Sequence, residues 1–185
     1  MIQPLGPIQY LRDIIINEMS LNKKRVYVYD QKFTLPKDED IFCVVEFKHA
    51  RPYSSRKEIQ TIDDVVTEIQ CVNMQEHYTI GLFSRNTDAL ARKHEIGMAF
   101  NSIYSQQCQE ANSFRIATIS PVQDLSPLEN TAILYRFDVD LVVLAWYEKT
   151  KTFSSYYDNF PVAVDVVLSS DEEETTIEFD QQTEE

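Results

Sequence analysis

Ile8, Leu11, Ile15 and Met19 recur at steps of three and four, and Pro7 stands where a first helical turn would begin. Residues so spaced share one helical face, and proline at the first position gives up an N–H that would go unbonded anyway. An amphipathic N-terminal helix is predicted. The period then shortens. Residues 25–30 (RVYVYD) and 41–50 (IFCVVEFKHA) are rich in β-branched and aromatic side chains and read as strands. Residues 50–64 (ARPYSSRKEIQTIDD) are polar and read as a long loop or an extended hairpin arm. Residues 65–84 have room for two strands, and in the second half Tyr78, Ile80 and Leu82 alternate onto one face.

Helical periodicity returns from about Thr87 to Ser105, with Ala89, Ile96, Phe100 and Ile103 on one stripe and Arg92 and Glu95 turned away. Asn86 or Thr87 can cap the first turn, and Asp88 suits the positive end of a helix. Gly97 is expected to let this helix approach a sheet closely. A strand at 114–120, a polar proline-bounded loop at 121–130, a long strand at 132–149 and a last strand at 162–168 complete the pattern. Helix, strands, helix and strands follow one another without βαβ alternation. That order predicts an α+β fold, its mainly antiparallel sheet packed by the N-terminal and central helices. One domain at 1–168 would carry an acidic tail at 169–185, disordered or extended.

Composition refines this. With 43% hydrophobic and 11% aromatic residues, the 185-residue chain can build a sizeable core. The N-terminus has no basic region or small-residue cleavage site, and the longest apolar run, 141–147, is far too short to span a bilayer. A soluble protein with no targeting segment and no membrane partner is expected. The net charge is −13, but residues 169–185 hold eight acids and no base, leaving 17 bases against 22 acids elsewhere. Such a tail is either solvated or docked on a basic partner. Generic nucleic-acid binding is disfavoured, since phosphate would be repelled. Cys43, Cys71 and Cys108 form no CxxC pair and are odd in number, which suits a reducing compartment.

Candidate chemistry is sparse. The turn FSRNT (83–87) has no glycine for a phosphate cradle and lacks the small flanks of a nucleophile elbow, so Ser84 and Arg85 read as a structural joint. Glu46-x-Lys48 on a strand, with Asp30, Asp38 and Asp40 upstream, has the form of a PD-(D/E)xK nuclease, whose acids hold Mg²⁺ while the lysine positions water. Alternating Glu46 and Lys48 with inward Val45 and Phe47 also describes any half-exposed strand. His49, His77 and His94 are scattered and show no zinc spacing. Phe153, Tyr156 and Tyr157, near Trp146 and Tyr147, form an aromatic stretch that suits either an interface or core packing. No catalytic, metal or cofactor residue is assigned, and no enzymatic activity is expected.

The strand EHYTIGLFS (76–84) feeding the helix DALARKHEIGMAFNSIYSQ (88–106), and then the long strand LYRFDVDLVVLAWYEKT (134–150), resembles the tail-terminator or neck-terminator proteins of long-tailed bacteriophages. The resemblance spans roughly residues 2–168 and is one of pattern; the polar segment 50–64 and the acidic tail depart from it. It implies a structural virion protein, assembled in the host cytoplasm. Its copies would form a homo-oligomeric ring, a hexamer, that caps the tail tube, stops its polymerisation and joins the head-side connector. Partners would be further copies of the chain, the tail tube protein, the connector or adaptor and, where one exists, the tail sheath, with the genome passing through unbound. Arg51, Tyr53, Arg56 and Lys57, basic in an acidic chain, would reach a neighbour or the tube. Trp146, Tyr147, Phe153, Tyr156 and Tyr157 would supply a second contact. The alternatives are the small metal-dependent nuclease using Glu46 and Lys48, or another head–tail completion or baseplate protein.

Overall fold

The structure, a computed structural model, describes residues 6–29, 36–62, 65–126 and 134–153. Helix α1, Pro7–Glu18, starts with proline in its first turn, as its sequence requires. It buries Ile8, Leu11, Ile14 and Ile15, and Met19 just past its end. Gly6 precedes it at φ 62°, a left-handed conformation that glycine adopts without a Cβ clash. The Arg12 guanidinium donates to the carbonyls of Lys23 at 2.9 Å and Val26 at 3.0 Å, tying the helix to the 3₁₀ turn Lys23–Arg25 and to strand β1, Val26–Val28.

Four longer strands follow: β2 Phe42–Ile62, β3 Val65–Ser84, β4 Phe114–Ile119 and β6 Tyr135–Phe153, with the short β5 Gln123–Asp124 between the last two. Their order in the sheet is β1-β2-β3-β6-β4, and β5 also pairs with β6. Among the described residues only β1 and β2 run parallel. The fold is therefore α+β with a mostly antiparallel sheet, an N-terminal helix and a central helical region. Residues 65–84 form one strand rather than two. β3 is paired with β2 on one side and with β6 on the other along nearly its whole length, so its polar residues interrupt no ladder.

One face of the sheet makes the core. Val26 and Val28, Cys43 and Val45, Ile80 and Leu82, and Phe137, Val139 and Leu141 alternate onto it and meet α1, Ala89, Ile96 and Phe100. Each buried aliphatic side chain contributes about 1.5–3 kcal/mol. The central helical region is divided, contrary to the single helix its periodicity suggested, into α2 Asp88–Arg92, α3 Glu95–Phe100 and α4 Ile103–Ala111. Ala89, Ile96 and Phe100 are buried as expected, but Ile103 is 75% exposed. The cause is Ser102, whose extended backbone stops the helical run and whose hydroxyl accepts from the Ser105 N–H at 3.0 Å, opening a new helix in a different phase. Gly97 provides no close approach either: a Cβ there would meet nothing within 4 Å.

At the strand-to-helix turn Ser84 is fully buried; its hydroxyl donates to the Asn86 carbonyl at 2.5 Å and accepts from the Ala89 N–H at 3.0 Å. Asn86 Oδ1 accepts from the Asp88 N–H at 2.9 Å, whereas the Thr87 side chain makes no cap bond. The turn is a joint. Among the described residues no helix is long and apolar enough to cross a membrane.

Candidate interface

Among the described residues, β1 covers β2 only at Cys43–Val45, and β4 covers β6 only as far as Ala145. Beyond those points β2, β3 and β6 run on together, paired up to Ile62↔Val65 and Val66↔Phe153. The result is a three-stranded arm. From Asn73↔Trp146 to Val66↔Phe153, it extends roughly 24 Å at 3.3–3.4 Å per residue. Of the two readings of the polar segment, residues 50–62 are built as the hairpin arm. Polar residues suit it because both of its faces lie near the surface.

Register shifts between Phe47 and His49, and again between Pro52 and Ser54, bend β2 as it enters the arm. At the first, the His49 and His77 rings stack with centroids 4.2 Å apart and planes 15° from parallel. Gln75 links the pair to the arm. Its Oε1 accepts from Arg51 at 3.0 and 2.8 Å, and its Nε2 lies 3.2 Å from His77 Nε2. Burial, and after it the nearby His49 and Arg51, lower the His77 pKa from its ordinary value.

The opposite face of the root holds a carboxylate. Glu76 is 6% exposed; Tyr78 donates to one of its oxygens at 2.5 Å and Tyr147 to the other at 2.6 Å. Burial, then the bond to Glu76, pushes both tyrosine pKa values up. A Cβ on Gly6 would lie 3.0 Å from the Tyr147 hydroxyl, so the start of α1 and the root of the arm are closely fitted.

The residues picked from sequence come together in part. Arg51, Tyr53, Arg56 and Lys57 are exposed along β2 of the arm, a strand rather than a loop. Arg56 is ion-paired to Glu58 at 2.7 Å and Lys57 to Glu68 at 3.0 Å. Trp146 is 45% exposed and Tyr147 half-buried on β6, so β3 alone separates the two predicted contacts. Phe153 ends β6, but its side chain lies outside the described residues, as do Tyr156, Tyr157, the strand expected at 162–168 and the acidic tail.

The face of the sheet away from α1 carries the Phe42–Phe83 stack at 5.0 Å, with the Arg136 guanidinium 5.3 Å from the Phe83 ring. Glu46 and Lys48 close on each other at 2.7 Å. Phe47, expected to face inward, is 41% exposed. Asp38 and Asp40 both accept from Arg25, at 2.6 and 3.0 Å, and that bond holds the Asp38 carboxyl below its usual range. Asp30 lies outside the described residues. Among the described residues no three His, Cys, Asp or Glu side chains cluster as metal ligands would.

Sequence reading missed both polar groups at the root. A signal existed for one: Glu76 precedes Tyr78 by two, on the same alternating face as Ile80 and Leu82. The histidine stack is set by cross-strand register and left no local trace. Comparison with protein-family models and with curated proteins finds no match.

Proposed function

We propose that this chain is a structural protein of a phage neck or tail, a terminator whose copies close into a ring on the end of the tail tube. The arm carries this reading. A three-stranded ribbon with side chains exposed on both faces buries little area of its own, and sheets that thin are marginal in water. It is worth maintaining if a neighbour completes it. Copies joined by a heterologous contact that closes on rotation form a ring, and the copy number favoured by the sequence resemblance is six. The net charge of −13 suits a wall past which DNA slides, because like charge repels phosphate.

The ring would halt tube growth, with the tube protein on one side and the head-side connector on the other. The test is native mass spectrometry with negative-stain imaging across a concentration series, in solution and with purified tail tubes. Closed rings, or caps on tube ends, are expected. A chain that neither self-associates nor binds tube ends refutes the proposal. So would divalent-dependent DNA cleavage that disappears on Glu46→Ala or Lys48→Ala.

A further inference from the structure

Among the described residues the arm has two outer edges, and the hydrogen bonds near its root show which residues face them. Backbone N–H and C=O groups of one strand residue point to the same side, and successive residues alternate. On β6, the N–H of Trp146 reaches the Ser113 carbonyl, and Asp140 and Arg136 also bond on the side away from β3. Glu148, Thr150 and Thr152 therefore face outward past the end of β4. On β2, the Val45 carbonyl accepts from the Tyr29 N–H on the side away from β3. Following the ladder through both register shifts turns Ala50, Pro52, Ser55 and Ile59 outward. Pro52 fits this assignment, since a proline in a sheet is tolerated where no N–H is owed to a partner strand.

The two edges match. β2 and β6 each run antiparallel to β3, so both travel from body to tip. Arg56 and Glu148 pair with the same residue, Cys71, and Glu58 and Thr150 both pair with Ile69. The outward residues 148, 150 and 152 of β6 thus lie at the heights of 56, 58 and 60 on β2, between that strand's outward positions. This half-step offset is what a parallel ladder requires.

We infer that neighbouring copies join by strand addition, residues 148–152 of β6 in one copy pairing in parallel with residues 55–60 of β2 in the next. The inference rests on the ring reading and supplies its contact. It uses two different edges of each copy, so the contact is heterologous and continues around a ring until no arm edge is left open. It also sets Arg56 beside Glu148 on one face, an opposite-charge pair across the junction. Lys57 and Lys149 meet on the other face, where Lys57 already has Glu68 at 3.0 Å.

Full-length Thr150→Pro, Arg56→Glu, Glu148→Arg and the double charge swap are compared with the unmodified chain by native mass spectrometry, in solution and on tail tubes. Thr150→Pro removes one outward N–H and none from the ladder with β3, and circular dichroism checks its fold. Assembly should be lost in Thr150→Pro and kept in Thr150→Ala. Each single charge reversal should weaken it about tenfold, and the double swap should restore most of that loss. If Thr150→Pro misfolds, the exposed charge variants decide alone. Rings that form unchanged in the folded proline variant and in both single reversals, or losses that the double swap fails to recover, overturn this contact and leave the ring standing. An unmodified chain that makes no assembly anywhere overturns the ring reading, and this inference with it.

Discussion

Replacing Tyr147 with phenylalanine should loosen the root of the arm by an amount the geometry sets. Its hydroxyl donates to Glu76 Oε1 at 2.6 Å, the acceptor is 6% exposed, and Tyr78 already occupies the other oxygen. The substitution keeps the ring and deletes one donor. A hydrogen bond to a charged group contributes about 1.5–3 kcal/mol, so a loss near 2 kcal/mol is expected. For a domain of this size, each kcal/mol moves the melting temperature by about 2–4 °C, giving a fall of roughly 4–8 °C. Urea unfolding at neutral pH, read by circular dichroism, measures it. The decisive control is a Glu76→Leu background, where the acceptor is gone and Tyr147→Phe should cost less than about 0.5 kcal/mol. An equal cost in both backgrounds would show that the hydroxyl stabilises the arm by some other route, and the account of Glu76 would be wrong.

The His49–His77 stack makes the root sensitive to pH. His77 has its folded pKa below its ordinary 6.5, so the unfolded chain binds the proton more readily. The stability of this pairing is whole above that value and declines as pH falls through 6.5 toward the folded pKa, with Asp140 opposing the shift and Arg51 adding to it. Amide exchange around His49 and His77, corrected for intrinsic rate, should rise between pH 7.5 and pH 5.5, and His77→Gln should flatten the change. Gly97→Ala should stabilise the fold by up to about 1 kcal/mol, because the new methyl meets nothing and a helical glycine is entropically costly; thermal unfolding reads the sign. Cys43, fully buried with its thiol pushed up to about 12 by desolvation, should resist a thiol reagent at pH 8 until the chain unfolds, while half-buried Cys71 reacts first.

Local pattern alone was enough for the elements whose partners lie nearby. Pro7 and the spacing of Ile8, Leu11, Ile15 and Met19 are sufficient for α1, because a helix closes its own hydrogen bonds and one apolar stripe decides which way it faces. The α+β class follows in the same way from the order of the periods, and the joint at Ser84 from the absence of glycine. Long-range pairing decided the rest. Nothing local distinguishes residues 50–62 as strand from loop; they are strand because β3 lies beside them. Register two dozen or more positions away brings His49 onto His77 and Tyr147 onto Glu76. The broken central helix shows the same division from the other side, since its stripe could be read as far as Phe100 but Ser102 resets the phase and leaves Ile103 in solvent. Periodicity records which face of an element is apolar. Which polar residues face one another is a property of the paired sheet, and the candidate interface belongs to that second kind of information.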